Sequence, residues 1–364
     1  MPLGRDMKPI TVAFDHWSIS EPGSDRGLGR YATTLSAALD VDRRFAPVYV
    51  RKVNSSKWRG LIELQRQIRD ASKRADLYHA TVPEHLPPAK SLPWVCSIQD
   101  VIPLDVPDYR RLGIKTRAKY INSKRADVIV ANSEYTASRV MAKLEISTKR
   151  IFIAPIPIAP SFSPRSTASI GKTPIAGREG VPYVVGLADH RAPDPRKRYH
   201  WIQQLAKRLK SKGIDTIVTG RAIRREEYPD CVLAEALSDS ELSDLYANAT
   251  AFFYPSAYEG QGLPPLEAMA SGCPVLAFNN TSVGEMVGNP EFLINDPLPW
   301  QQARLAEPMP AQTLEICIHR ITEIAYSAEL RRNFASAAIA QANRFSMGRL
   351  AGDLLSAYEE AVPR

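Results

Sequence analysis

Short apolar runs alternate with longer amphipathic stretches along most of this chain, and no other feature constrains its fold so tightly. PITVAFD reads as a buried strand, and GRYATTLSAALD as a helix with apolar positions at Tyr31, Leu35, Ala38 and Leu39. PVYVRKV, ADLYHA and PWVCSIQD read as further strands, the last ending in the polar pair Gln99 and Asp100. A basic helix around Lys115 to Arg125, the strand ADVIVANS, the helix SEYTASRVMAKL and the strand RIFIAPIPI follow. Ser133 is placed to cap its helix, but Thr136 three residues on does not complete a capping box. This strand–helix alternation implies a parallel sheet covered by helices.

The alternation breaks once, at SPRSTASIGKTPIAGREG (Ser163 to Gly180), whose Gly, Pro, Ser and Thr mark a linker or exposed loop. It then restarts. PYVVGLAD, DTIVTG, ATAFFYPS and PVLAFN read as strands. YHWIQQLAKRLKSKG reads as a helix stopped by Gly213, and SDSELSDLYANA as a helix with a capping box of Ser238 and Glu241. A long helical region covers Ala311 to Arg344, and FSMGRLAGDLLSAYEEAVPR ends the chain as an amphipathic helix. The expected class is α/β with two doubly wound halves: residues 1–165, residues 166–345, and a final helix over 346–364. A length of 364 residues suits two cores of this kind.

Composition narrows the partners. Hydrophobic content of 44% and charged content of 24% are those of an ordinary soluble globular protein. No run of about 18 apolar residues is present, so no membrane-spanning helix is expected. The N-terminus lacks the apolar region and small-residue cleavage site of a secretory signal. Cys96, Cys231, Cys273 and Cys317 have no paired spacing and read as reduced, buried thiols of a cytoplasmic protein. The formal net charge of +8 favours anionic partners. Seven of the sixteen residues from Arg110 to Arg125 are basic and none is acidic. That segment is either a solvated helix face or a patch for a membrane surface or a lipid diphosphate. No nucleic-acid motif is present, and nucleic acid is not an expected partner.

The stretch YPSAYEGQGLPPLEAMASGCPV (Tyr254 to Val275) carries the most chemistry. FFYPS delivers the chain to the C-terminal end of a parallel strand, where ligands of open α/β sheets bind. Gly260 and Gly262 allow a tight bend and close approach to a ligand. Pro264 and Pro265 suit the first turn of a helix, and Gly272 suits its end. A helix N-terminus that faces a ligand offers backbone N–H groups and the positive end of its dipole to phosphate. Glu259 and Glu267 flank the bend. Carboxylates repel a diphosphate but accept hydrogen bonds from hydroxyls, so a sugar on each side of a diphosphate fits them. The simpler alternative is that Glu267 only favours its helix N-terminus and Glu259 is exposed.

E-G-Q-G-L-P-P-L-E-A-M-A-S-G-C-P-V resembles the E-x7-E signature of the family 4 retaining glycosyltransferases, glycosyl transferases of group 1, which have the GT-B fold. The likeness extends over most of the chain. RGLGRYATTL, ADLYHA, SIQDVIPLDVPDY, ADVIVANSEYTASRV and IAPIPIAPSFSP resemble landmarks of the family's N-terminal domain. DPRKR, LSDSELSDLYANATAFFYPSAYEG and FSMGRLAGDLLSAYEEA resemble those of its C-terminal domain. The resemblance implies two Rossmann-like parallel-sheet domains facing a cleft, an N-terminal acceptor domain and a C-terminal donor domain. The last helix would cross back to the first domain.

It also implies roles. Glu259 would contact hydroxyls of the transferred sugar, and Glu267 would hold the ribose. Gly262 and Leu263, with Gly260 and Gln261 in the same bend, would bind the donor's distal phosphate region. Arg196 and Lys197 would neutralise the leaving diphosphate, and Gly27 would let a loop of the first domain approach it. Gln99, Asp100 and His79 would lie on the acceptor side. No catalytic metal and no cofactor beyond the nucleotide diphosphate sugar are implied.

Three departures stand out. Gln261 occupies a position that is usually aromatic, and Gln99 precedes Asp100 where the family often has His. Extra residues before Arg196 leave Arg191 and Arg196 both open as the phosphate arginine.

Other signals point elsewhere and are weaker. GKT at 171–173 resembles the end of a P-loop, but Ser166 stands where the first glycine is required. Asp40-Val41-Asp42 reads as a helix end. His79 and His85 lack a third metal ligand. A glycosidase reading of the glutamate pair leaves the phosphate-binding turn without a use.

The expected function is retaining transfer of a hexose from a nucleotide sugar to a glycan or polyprenyl-diphosphate-linked acceptor in cell-surface polysaccharide synthesis. GDP-mannose is the first choice of donor and a UDP-hexose the second. The expected location is cytoplasmic, with peripheral association at the inner face of the cell membrane. The alternative is a non-catalytic GT-B module that binds nucleotide sugar or scaffolds an assembly.

Overall fold

The apolar runs lie side by side as parallel strands, since each is followed by a segment long enough to carry the chain back over the sheet. A computed structural model of the chain describes residues 8–17, 19, 27–51, 57–107, 109, 113–164, 180–191 and 194–362. At positions 57–59, 61 and 113–116 only the backbone is described. Arg110, Arg111 and the GKT stretch lie outside the described residues.

The first compact unit comprises residues 1–157 and 345–364. It runs β1 (Ile10–Asp15), α1 (Gly27–Val41), β2 (Phe45–Val50), α2 (Lys57–Ala71), β3 (Leu77–Ala80), β4 (Trp94–Ile98), α3 (Ile102–Asp105), α4 (Gly113–Asn122), β5 (Val128–Ala131), α5 (Glu134–Leu144) and β6 (Ile151–Ile153). The second comprises residues 158–344. It runs β7 (Tyr183–Asp189), α6 (His200–Leu209), β8 (Asp215–Arg221), β9 (Val232–Glu235), α7 (Asp239–Ala247), β10 (Ala251–Tyr254), α8 (Leu263–Ala270), β11 (Val275–Asn279), α9 (Thr281–Val287), β12 (Leu293–Asn295), α10 (Ala311–Tyr326) and α11 (Ala328–Ala342). The chain then returns to the first unit as α12 (Met347–Ala361).

Strand order is β2-β1-β3-β4-β5-β6 in one sheet and β12-β11-β10-β7-β8-β9 in the other. Each order reverses once, between β1 and β3 and between β7 and β10. In the second sheet the period of two is plain. Phe252 and Tyr254 turn to one apolar core, and Ala251 and Phe253 to the other. Both phenylalanines are fully buried, which stabilises by roughly 1.5–3 kcal/mol each.

Helix ends follow local chemistry. Ser238 and Glu241 form the reciprocal capping box of α7. Ser133 caps α5 alone, accepting the Thr136 N–H at 3.0 Å. The α8 helix stops in a Schellman motif: Gly272 adopts φ 84°, its N–H bonds Met269 O and the Cys273 N–H bonds Ala268 O. Asp42 pairs with Arg44 just beyond the end of α1, so the Asp40–Asp42 stretch is a helix end.

The structure also departs from the sequence pattern. The region from Ala311 to Arg344 is two helices, broken where the Ser327 hydroxyl caps α11. β6 covers only three residues of RIFIAPIPI. The edge strands β9 and β12 and the helices α2, α3 and α9 are additional.

His79 is a core residue rather than a ligand-facing one. It is fully buried in β3, with Nδ1 2.7 Å from Tyr358 Oη of α12 and Nε2 2.8 Å from Ser97 Oγ of β4. Tyr31 Oη of α1 donates to the same Ser97 Oγ at 3.1 Å. A strand in mid-sheet has both faces covered, so a polar side chain there must be satisfied from within. Burial pulls the imidazole down to about 3 from its ordinary 6.5. Between those values the unfolded chain binds a proton that the fold refuses, so stability falls as pH drops through that window. The slope from this one group is about 1.4 kcal/mol per pH unit. His79→Gln is therefore expected to flatten the pH dependence of urea-unfolding stability between about pH 6 and about pH 4. An unchanged slope would mean that His79 takes up its proton while folded.

Candidate active site

Two loops meet beyond the C-terminal ends of β7 and β10, the adjacent strands at which the second sheet reverses order. That is the place where open α/β sheets bind ligands. The β7 loop carries a short turn, Pro195–Lys197, and the β10 loop runs from Pro255 to Gly262 into α8. The Ala257 N–H donates to Arg196 O at 2.7 Å and ties the two loops. Gly262 takes φ 87°, a left-handed conformation that L side chains avoid. A Cβ there would meet nothing nearer than Val283 at 3.8 Å, so the requirement for glycine is conformational. Four N–H groups at a helix start have no partner within the helix. Pro264 and Pro265 lack theirs, which leaves the amides of Gly262 and Leu263 at the tip of α8.

Glu259 is the electrostatic centre. Its Oε1 lies 2.5 Å from Lys197 Nζ and accepts from Tyr254 Oη at 2.7 Å and Ser256 Oγ at 2.5 Å. Its Oε2 lies 3.5 Å from Arg196 Nη1. Burial pushes the carboxyl up, but Lys197, Arg196 and the hydrogen bonds outweigh it and hold the group at about 2. Glu259 is thus ionised and almost wholly buried, with Oε1 committed to protein donors. A ligand hydroxyl would be taken by Oε2. Lys197 also reaches Tyr254 Oη at 3.3 Å. Arg196 donates to Tyr258 O at 2.8 Å and pairs with Asp194 at 2.9 Å. The site can therefore present two cations and two amides to an anion, and one carboxylate oxygen to a hydroxyl.

The structure brings Arg196, Lys197 and Glu259 together, and sets Arg191 apart in a bidentate pair with Asp189. Of the extra residues before Arg196, positions 192 and 193 lie outside the described residues. Glu267 is buried in the first turns of α8, and Gln261 is buried in the bend beside Gly260. The exposed-glutamate alternative does not hold for Glu259. Tyr254, Ser256 and Asp194 were not read from sequence. A tyrosine that ends an apolar strand, or a lone serine or aspartate in a loop, carries no distinguishing signal.

The first unit holds the remaining candidates. Gln99 follows β4, where its backbone carbonyl accepts from Thr136 Oγ1 at 3.3 Å and its side-chain Nε2 is buried without a hydrogen-bond partner. Asp100 accepts the Ile102 N–H at 3.0 Å. Gly27 is exposed at the start of α1. At that sheet's own reversal, buried Asp15 accepts from Thr81 Oγ1 at 2.6 Å and lies 2.6 Å from His85 Nδ1. His79 and His85 therefore serve different partners and do not form a metal pair. No cluster of three or more potential metal ligands occurs among the described residues. The described side chains of the basic segment are largely exposed, with Lys119 paired to Glu84 and Lys124 to Glu145. No described helix is long and apolar enough to cross a membrane. All four cysteines are thiols, three of them buried.

Comparison with known proteins agrees with this geometry. The family model described as "Glycosyl transferases group 1" matches residues 195–309, the stretch that holds Arg196, Lys197, Glu259 and Glu267. The serotype-specific mannosyltransferase WbdA of Escherichia coli is 25% identical over 294 residues, which cover 72% of this chain and 33% of WbdA. The O-antigen chain mannosyltransferase B of Escherichia coli is 27% identical over 227 residues, 56% of this chain and 57% of that protein. The chain thus matches about a third of the length of WbdA. Among solved structures, Anabaena Alr3699/HepE in complex with UDP has a TM-score of 0.69 at 17% identity, covering 96% of this chain and 99% of that one. Two parallel sheets with this strand order and the structural match give the chain the GT-B fold, and its residues 195–309 match the group 1 glycosyl transferases.

Proposed function

We propose that this protein is a retaining glycosyltransferase that moves a hexose from a nucleotide diphosphate sugar to a glycan or lipid-linked sugar acceptor. The observation that carries this reading is the Lys197–Glu259–Arg196 cluster beside the Gly262 and Leu263 amides. The donor diphosphate would lie on those amides and the two cations, its sugar hydroxyl on Glu259 Oε2 and its ribose on Glu267. As the bond from sugar C1 to the phosphate oxygen breaks, its electron pair goes to the phosphate. Lys197 and Arg196 stabilise the charge that develops there. The acceptor oxygen bonds C1 from the same face, and its proton passes to the leaving phosphate.

GDP-mannose is the favoured donor, supported by the names of the curated relatives, which are mannosyltransferases. A UDP-hexose is second, supported by the UDP complex of the structural neighbour. Charge neutralisation falls to protein groups in this reading, so no catalytic metal or cofactor is invoked. The exposed cations near α4, with Ile121 among them, support peripheral docking on anionic lipid close to a polyprenyl-diphosphate acceptor.

A transfer assay across GDP-, UDP-, ADP- and dTDP-sugars checks the activity. Donor consumption with GDP-mannose or a UDP-hexose, undiminished by EDTA, is expected. Donor binding without release of nucleoside diphosphate would instead favour a non-catalytic binding module. Lys197→Ala and Glu259→Ala are each expected to lower kcat by about 10²-fold or more. A wild-type rate for Lys197→Ala would remove its assigned role.

The depressed Glu259 carboxyl also has a stability signature. Its contribution is complete above the ordinary 4.5 and is lost as pH falls through about 2. The stability gap between wild type and Glu259→Gln should therefore be wide at neutral pH and narrow toward about pH 2 in denaturant titrations. Vesicle binding is expected to rise with anionic lipid and fall with salt. Binding that ignores both would count against membrane docking.

A further inference from the structure

We propose that the buried Arg198–Asp296 pair, with Asn280 and Thr281, is a positioning device that holds Lys197 and Glu259 in register for the transfer reaction. The inference rests on the role proposed above for those two residues. Arg198 follows Lys197 directly, and its side chain is wholly buried. Its Nη1 lies 3.0 and 3.1 Å from the two Asp296 oxygens, its Nη2 donates to Leu298 O, and its guanidinium lies 4.4 Å from the centre of the Trp201 ring.

Asp296 then reaches the other loop. Its Oδ2 accepts from Asn280 Nδ2 at 2.6 Å, and the same amide donates to Ser256 O at 3.1 Å. Asn280 Oδ1 accepts from Thr281 Oγ1 at 3.2 Å, and Thr281 Oγ1 accepts the Glu259 N–H at 3.1 Å. The Ser282 hydroxyl adds a bond to Glu259 O at 3.0 Å. The connections close a ring from Lys197 through Arg198, Asp296, Asn280, Thr281 and Glu259 back to Lys197.

Two members of the ring adopt left-handed backbone conformations that their side chains disfavour: Arg198 at φ 49° and the β-branched Thr281 at φ 44°. Such conformations persist where surrounding bonds over-determine them, and here the ring supplies those bonds. A buried ion pair adds little to stability compared with apolar packing, whereas it does fix geometry. The role suits Arg198 in particular. Its planar fork spans Asp296 and Leu298 O at once, which a lysine could not.

The test uses the 364-residue chain and two variants. Asn280→Ala cuts the links from that side chain to Asp296, Ser256 and Thr281 and leaves the Arg198–Asp296 pair in place. The double variant Arg198→Met/Asp296→Leu removes both buried charges together and so leaves neither unpaired. Lys197 acylation by an N-hydroxysuccinimide ester is followed by peptide mass spectrometry on the ligand-free protein, with Lys207 and Lys212 as exposed controls.

Lys197 should label several-fold faster in both variants, approaching its rate in Glu259→Gln, with the control lysines and Tm near wild type. With the donor that wild type uses, kcat should fall about tenfold while KM changes little, the pattern of misplaced groups. Wild-type Lys197 labelling in both variants overturns the proposal. So does uniform acceleration of every lysine, which would mark a merely structural role. Should wild type transfer no sugar at all, the functional reading fails, while the labelling result still decides the ring.

Discussion

A carboxylate buried at the end of a β-sheet must find positive charge or donors close by, and the arrangement around Glu259 is built on that requirement. Burial alone would favour its neutral form. Lys197, Arg196, Tyr254 and Ser256 reverse that preference. The same contacts fix the positions of two cations that would otherwise move on long, flexible side chains. Glu259 thus anchors Lys197 through Oε1 and Arg196 through Oε2. A pre-organised charge of this kind is what stabilisation of a leaving diphosphate needs, because little has to reorganise as the bond breaks.

The anchor works because of strand order. β7 and β10 are far apart in sequence but hydrogen-bonded neighbours, so their loops leave the sheet side by side. Backbone chemistry finishes the positioning. The left-handed Gly262 turns the chain into α8, the double proline starts the helix, and the Schellman motif at Gly272 ends it. The two prolines also limit the N-terminal amides to those of Gly262 and Leu263. The first sheet has its own reversal, where Asp15, Thr81 and His85 gather by the same topological rule.

Much of the fold was legible because its central strands are buried on both faces and its helices carry one apolar side. The elements that escaped have physical reasons. β9 and β12 are short edge strands with half-exposed side chains, so neither a continuous apolar run nor a clean alternation marks them. The break between α10 and α11 depends on one serine, Ser327, in a stretch with no glycine or proline to mark a helix end. His79 ends a short run in sequence and so looked accessible. In the fold it is covered by α12, which arrives from more than 270 positions away and supplies Tyr358 as its partner.

By itself the sequence determined the class of fold, two parallel sheets with helical crossovers, and the local form of the loop from Ser256 to Gly272. Those features rest on periodicity, glycine, proline and capping residues, all of which act between near neighbours in the chain. Only the tertiary structure decided that Arg196 rather than Arg191 joins Glu259, that one glutamate oxygen is already occupied, and that Arg198 meets Asp296 from 98 positions away. Such pairings follow from which strands become neighbours and how long side chains are satisfied when buried. Neither is written in the local pattern, because parallel pairing separates every pair of partners by at least a whole crossover.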